Sequence, residues 1–131
     1  MERPVFEKLA AEAFRSIPER FLKRLGNVVI LVEDRPTPEQ NAVGAHEGED
    51  ELDILGLYEG TPLTELPGDP SGMLPDVISL FQEPIEEEAE ASGLEPFEVI
   101  RQTLIHEIGH HFGLNDEEIE KIFEERWENE P

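Results

Sequence analysis

His106-Glu107-Ile108-Gly109-His110-His111-Phe112-Gly113-Leu114-Asn115-Asp116 fits the pattern H-E-x-x-H-x-x-G-x-x-D. On an α-helix a four-residue step advances roughly 400°, about 40° past a full turn, so the His106 and His110 imidazoles point the same way and can grip one metal ion. Glu107 lies roughly 100° further round, off the ligand face but within reach of a water on the metal, which makes it the candidate general base. Glycine accepts the left-handed conformation of a helix C-terminus, so Gly113 can end the helix and turn the chain back toward the metal. Asp116, just past that turn, is then the natural third ligand. Two imidazoles, one carboxylate and a position left for water describe a catalytic zinc site for hydrolysis.

Glutamate is so abundant here that H-E-x-x-H alone would arise in roughly one shuffled chain in fifty. Requiring Gly113 and Asp116 as well lowers the chance to about one in a few thousand, so the longer run carries the reading. The surroundings agree with a helix. Pro96 suits a first turn, and Phe97, Ile100, Leu104, Ile108 and Phe112 recur at three- and four-residue steps. Their stripe is centred opposite His106 and His110, so the helix is held by one face and offers ligands from the other. Gly109 costs the helix roughly 1 kcal/mol relative to alanine, which predicts a close neighbour on its flank.

Other residues have a plain reading beside a chemical one. His111 projects nearer the apolar stripe and reads as a packed or hydrogen-bonded core histidine. His46, isolated in a loop, reads as solvent-exposed rather than as a ligand. Tyr58, the only tyrosine, reads as a strand aromatic packed on the sheet, with hydrogen bonding to a developing oxyanion as its alternative. Asn115 and Glu118 have the spacing of a capping box, so Asp116 also suits the positive end of a following helix; ligation and capping can coexist.

Thirty-two acids against ten bases give a formal charge of -22. That field disfavours nucleic acid and anionic lipid, favours cationic partners and makes a metal site electrostatically attractive, while also serving solubility. With no cysteine, disulfides and thiolate zinc sites are excluded, so the donors must be nitrogen and oxygen. No run of 18 apolar residues occurs, and the opening MERPVFEKLAAEAFRSIPERF lacks an apolar stretch of secretory length; a cytoplasmic protein is expected.

Around the motif, Phe6, Leu9, Ala10, Ala13 and Ile17 mark a first helix, and Pro18 begins a second that carries Phe21, Leu22 and Leu25 to a stop at Gly26. The continuous apolar run Asn27 to Val32 predicts a strand buried in a sheet. Residues 33 to 52 read as a long loop, and strands follow around Asp53 to Tyr58 and, after a second loop, Val77 to Phe81. The edge of this last strand is a place for an extended peptide to pair. Pro84 opens a short acidic helix before the motif helix, and a final helix is expected from Asp116 to Trp127 with Ile119, Ile122, Phe123 and Trp127 on one face.

In the motif the chain resembles a family of small bacterial zincin-like metallopeptidases, first catalogued as a domain of unknown function, whose members carry an HE-x-x-HHFG-x-x-D helix near the C-terminus. Gly56-Leu57-Tyr58-Glu59-Gly60-Thr61-Pro62-Leu63 and Leu74-Pro75-Asp76-Val77-Ile78-Ser79-Leu80-Phe81 also look like that family. The resemblance covers most of residues 50 to 116 and is weak before residue 50. It implies a minimal α+β zincin, with a short sheet packed on helices and the motif helix behind a cleft. It also implies metal ligands at His106, His110 and Asp116 and a base at Glu107. The reading is thus one domain over residues 1–131 that binds Zn²⁺ and hydrolyses peptide or amide bonds in a peptide or protein substrate, basic ones being favoured. No nucleic acid or membrane partner is expected. Two rivals differ in class. A non-catalytic, zinc-stabilised interaction module would use the same ligands to lock two helices together. A nucleic-acid hydrolase would use similar offsets but is opposed by the charge.

Overall fold

A computed structural model describes residues 1–44, 53–60, 75–115 and 117–122. Its elements run α1 (Arg3–Arg15), α2 (Glu19–Leu22), β1 (Val28–Glu33), α3 (Pro38–Gly44), β2 (Gly56–Glu59), β3 (Asp76–Phe81), α4 (Gln82–Ser92) and α5 (Pro96–His111). Residues 117–122 are helical as well. The architecture is α+β, as expected.

Both N-terminal helices begin where proline permits. Pro4 sits in the first turn of α1, where its missing N–H has no partner to lose, and Phe6, Ala10 and Ala13 are buried. Pro18 precedes α2, which is shorter than its apolar spacing suggests. Beyond Leu22 the chain continues in tight turns, Arg24 N–H bonding Phe21 C=O and Leu25 N–H bonding Leu22 C=O.

Among the described residues three strands form one sheet in the order β1-β3-β2, with β1 parallel and β2 antiparallel to β3. β3 is therefore central. Ile78 and Leu80 are buried on one face, Ser79 and Phe81 on the other. Two expectations are corrected here. The Val77 to Phe81 strand has no edge to offer a peptide, since both sides are paired. The apolar run at β1 forms an edge strand whose side chains alternate, Val29 and Leu31 standing 38% and 46% exposed. A continuous apolar run matches a strand buried on both faces, but the run cannot reveal which neighbours the topology supplies.

The expected loop after β1 contains α3, and here a sequence signal was missed. Thr37-Pro38-Glu39-Gln40 is a capping box: Gln40 N–H donates to Thr37 Oγ1 at 3.1 Å and Thr37 N–H to Gln40 Oε1 at 2.8 Å. His46 and residues 123–127 of the expected final helix lie outside the described residues.

α5 packs on α1 and α4 and lies across β2 and β3. Ile100, Leu104, Ile105 and Ile108 are buried, and so is Arg101, 2% exposed. Arg101 Nε donates to Ser16 Oγ at 2.9 Å, and that hydroxyl donates to Ala13 C=O at 2.6 Å. A cation is thereby held at the C-terminus of α1, where the helix dipole favours it.

Candidate active site

α5 ends where the motif requires. Gly113 takes φ 76°, Leu114 N–H bonds Gly109 C=O at 2.9 Å and Gly113 N–H bonds His110 C=O at 3.0 Å. This pair of bonds is a Schellman motif, which only a residue tolerant of positive φ closes cheaply. The reversed chain is then capped again: Glu118 N–H donates to Asn115 Oδ1 at 2.8 Å and Asn115 N–H to Glu118 Oε1 at 3.2 Å. The expected capping box is present. It leads Ile119 back onto Gly109, where a Cβ would meet Ile119 Cγ1 at 2.6 Å. The helix accepts glycine's propensity cost because a second helix crosses there.

On the ligand face the His106 and His110 ring centres are 5.7 Å apart and the planes are inclined by 54°. His106 is half-buried and His110 exposed. Zn–N bonds of about 2.0–2.1 Å put each ring centre about 3.2 Å from an ion, so two imidazoles on one tetrahedral zinc have centres about 5.3 Å apart. The observed pair is close to that spacing, and its donor type suits zinc. Among the described residues no third His, Asp or Glu joins them. Asp116, the expected third ligand, lies outside the described residues.

Glu107 occupies the neighbouring face, turned toward the sheet. Its Oε1 accepts a hydrogen bond from the Tyr58 backbone N–H at 3.0 Å. Antiparallel pairing explains why that donor is available. Phe81 N–H bonds Leu55 C=O, so along β2 the odd-numbered residues bond β3, and Tyr58 points its N–H outward. α5 lies against that edge and Glu107 meets it.

The Tyr58 side chain turns to the same helix. Its ring stacks on His111 with centroids 4.0 Å apart and an interplanar angle of 16°, while its hydroxyl donates to Asp76 Oδ2 at 2.7 Å. Burial first, then the hydrogen bond and negative charge of Asp76, push the phenol above the ordinary tyrosine value of 10.0. It stays neutral and committed to Asp76, which favours the packing role over an oxyanion role. His111 is corrected: it is packed, as expected, but exposed at the end of α5 rather than in the core. Spacing contained the clue, because Glu107 and His111 are four residues apart and so share the face that meets Tyr58. The part played by Asp76 was not visible, since only strand pairing brings it to the Tyr58 hydroxyl.

Helices around a short mixed sheet, with an H-E-x-x-H helix laid against an edge strand, define a zincin-type architecture. Residues 25–127 match the zincin-like metallopeptidase family, and the chain belongs to it. It is similar in fold to the solved structure of a conserved hypothetical protein from Thermo thermophilus, at 24% identity and a TM-score of 0.54, over 86% of this chain and 94% of that one. No curated protein matches. Among the described residues no helix is long and apolar enough to cross a membrane.

Proposed function

We propose that this protein is a zinc-dependent metallopeptidase in which His106, His110 and Asp116 hold the metal and Glu107 is the general base. The observation that carries the reading is the division of α5 into two working faces. His106 and His110 stand together on one face, and Glu107 is held on the next by the Tyr58 N–H. Bound zinc supplies a Lewis acid that activates water and polarises a carbonyl. Glu107 takes a proton from the attacking water and returns it to the leaving amine, which needs a carboxylate of constant orientation. The Tyr58 N–H provides that orientation without a flexible side chain.

The contact of Ile119 with Gly109 supports catalysis over the zinc-stabilised interaction module. It already joins α5 to the following helix through apolar packing, which leaves a metal no structural task at that crossing. The net charge of -22 favours substrates with Lys or Arg near the cleaved bond. Elemental analysis after zinc reconstitution, paired with cleavage of a mixed peptide library by wild type and Glu107→Gln, tests the reading. About one zinc per chain and cleavage by wild type alone are expected. No cleavage by zinc-loaded wild type, or equal cleavage by both proteins, would return the protein to the interaction-module class.

A further inference from the structure

Tyr58 touches α5 and β3 at once. Its N–H donates to Glu107 Oε1 at 3.0 Å, its ring stacks on His111 with centroids 4.0 Å apart, and its hydroxyl donates to Asp76 Oδ2 at 2.7 Å. Glu107 and His111 are about one turn apart on α5, so main chain and ring meet a single face of that helix. Asp76 is the fixed end of the arrangement. It opens the central strand β3, and its own N–H donates to Asn27 C=O at 2.8 Å. Gly60 packs against the same pair: a Cβ there would stand 3.5 Å from Asp76 Oδ1 and 3.7 Å from His111 Cε1.

These side-chain contacts fall where the ladder does not hold the main chain. β2 is a four-residue strand, Tyr58 is next to its last residue, and its N–H points away from β3. Short strand ends open readily. Held by the ladder alone, the Tyr58 N–H would move with such openings, and Glu107 with it. The core depends little on the cluster, since Tyr58 and Asp76 are half-buried and His111 is exposed. Its consequence falls on Glu107.

We infer that Asp76 and His111 are positioning residues for the candidate base: through the hydroxyl and the ring of Tyr58 they pin the end of β2 against α5 and so hold the Tyr58 N–H on Glu107. The effect on rate rests on the metallopeptidase reading; the clamp does not. A carboxylate that takes a proton from water and returns it to an amine loses rate when its orientation wanders, while substrate binding is untouched. The clamp therefore acts on kcat and not on KM.

Asp76→Ala and His111→Ala, each folded by circular dichroism and zinc-loaded to the wild-type level, are expected to lower kcat for a cleaved peptide roughly tenfold or more with KM unchanged. Asp76→Asn keeps an acceptor for the phenol and His111→Phe keeps a ring for the stack, so both should recover most of the rate. A role of His111 as proton carrier or ligand would not allow that recovery. Hydrogen exchange at the Tyr58 amide, followed by NMR, reads the clamp without turnover. It is expected roughly tenfold faster in the two alanine variants and near the wild-type rate in Asp76→Asn and His111→Phe. A zinc-loaded wild type that cleaves no peptide but shows this exchange pattern would overturn the proposed activity and support the clamp. Equal Tyr58 exchange in wild type and both alanine variants, or undiminished kcat in those variants, overturns the inference.

Discussion

The Tyr58 backbone N–H donates to Glu107 Oε1 at 3.0 Å, joining the outer edge of β2 to the one acidic residue inside the H-E-x-x-H pentapeptide. Because the donor is main chain, no substitution at position 58 other than proline removes it. Glu107→Gln is therefore expected to keep the fold, the amide oxygen still accepting from Tyr58, and to keep zinc, while the rate falls by about 10²–10⁴ through loss of the proton shuttle. Parallel measurement of circular dichroism, bound zinc and peptide cleavage checks this. A variant that lost its metal along with its activity would show Glu107 to be structural or a ligand.

Asp116 is to be separated from the exposed acids that follow it, Glu117 and Glu120. Asp116→Ala should weaken zinc binding far more than Glu117→Ala or Glu120→Ala. Zinc affinity should also fall steeply on acidification, as ligand histidines take up protons. Competition titrations with a chromophoric chelator give the three affinities, and equality among them would strike Asp116 from the ligand set.

Tyr58 is the only tyrosine, so phenolate absorbance reports on it alone. The titration midpoint is expected above the ordinary 10.0, with burial as the larger cause and Asp76 as the second. In Asp76→Ala the midpoint should move back down. Because the folded-state pKa is raised, the contribution to stability is complete below the unfolded value of 10.0 and is lost as pH rises from there through the folded-state value. Tyr58→Phe should remove that alkaline loss. A wild-type midpoint at or below 10 would mean that the phenol is neither buried nor bound to Asp76 in solution.

Gly109→Ala tests the crossing of α5 with residues 117–122. Alanine gains roughly 1 kcal/mol in helix propensity, yet its Cβ would stand 2.6 Å from Ile119 Cγ1 and 2.9 Å from Cδ1. Ile119 is fully buried, so overpacking, typically 1–3 kcal/mol, should prevail and leave the variant about 1 kcal/mol less stable. Zinc affinity should fall as well, because the displaced helix follows directly on Asp116. Urea denaturation and the same chelator titration measure both, and a more stable Gly109→Ala would show that the helices do not cross at this residue.

Helix identity, the facing of His106 and His110, the stop at Gly113 and the Asn115–Glu118 cap were legible in the chain because each depends on residues within five positions of one another. Local spacing sets the direction of helical side chains, and one backbone conformation at Gly113 accounts for the stop. Gly109 was legible in kind, as a close approach, though not in its partner. What sequence could not decide is which strand lies at an edge and which main-chain donor answers Glu107. The β1 apolar run and the β3 run look alike on paper, yet among the described residues β3 is buried between two partners and β1 has one. Asp76 and Tyr58 are 18 residues apart, and Tyr58 and Glu107 are 49 apart. Such pairs meet only through strand register and helix docking, which a short window of sequence does not contain. Tertiary structure alone therefore made His111 a stacking partner, and it alone turned an outward-facing N–H of an edge strand into the support of the candidate base.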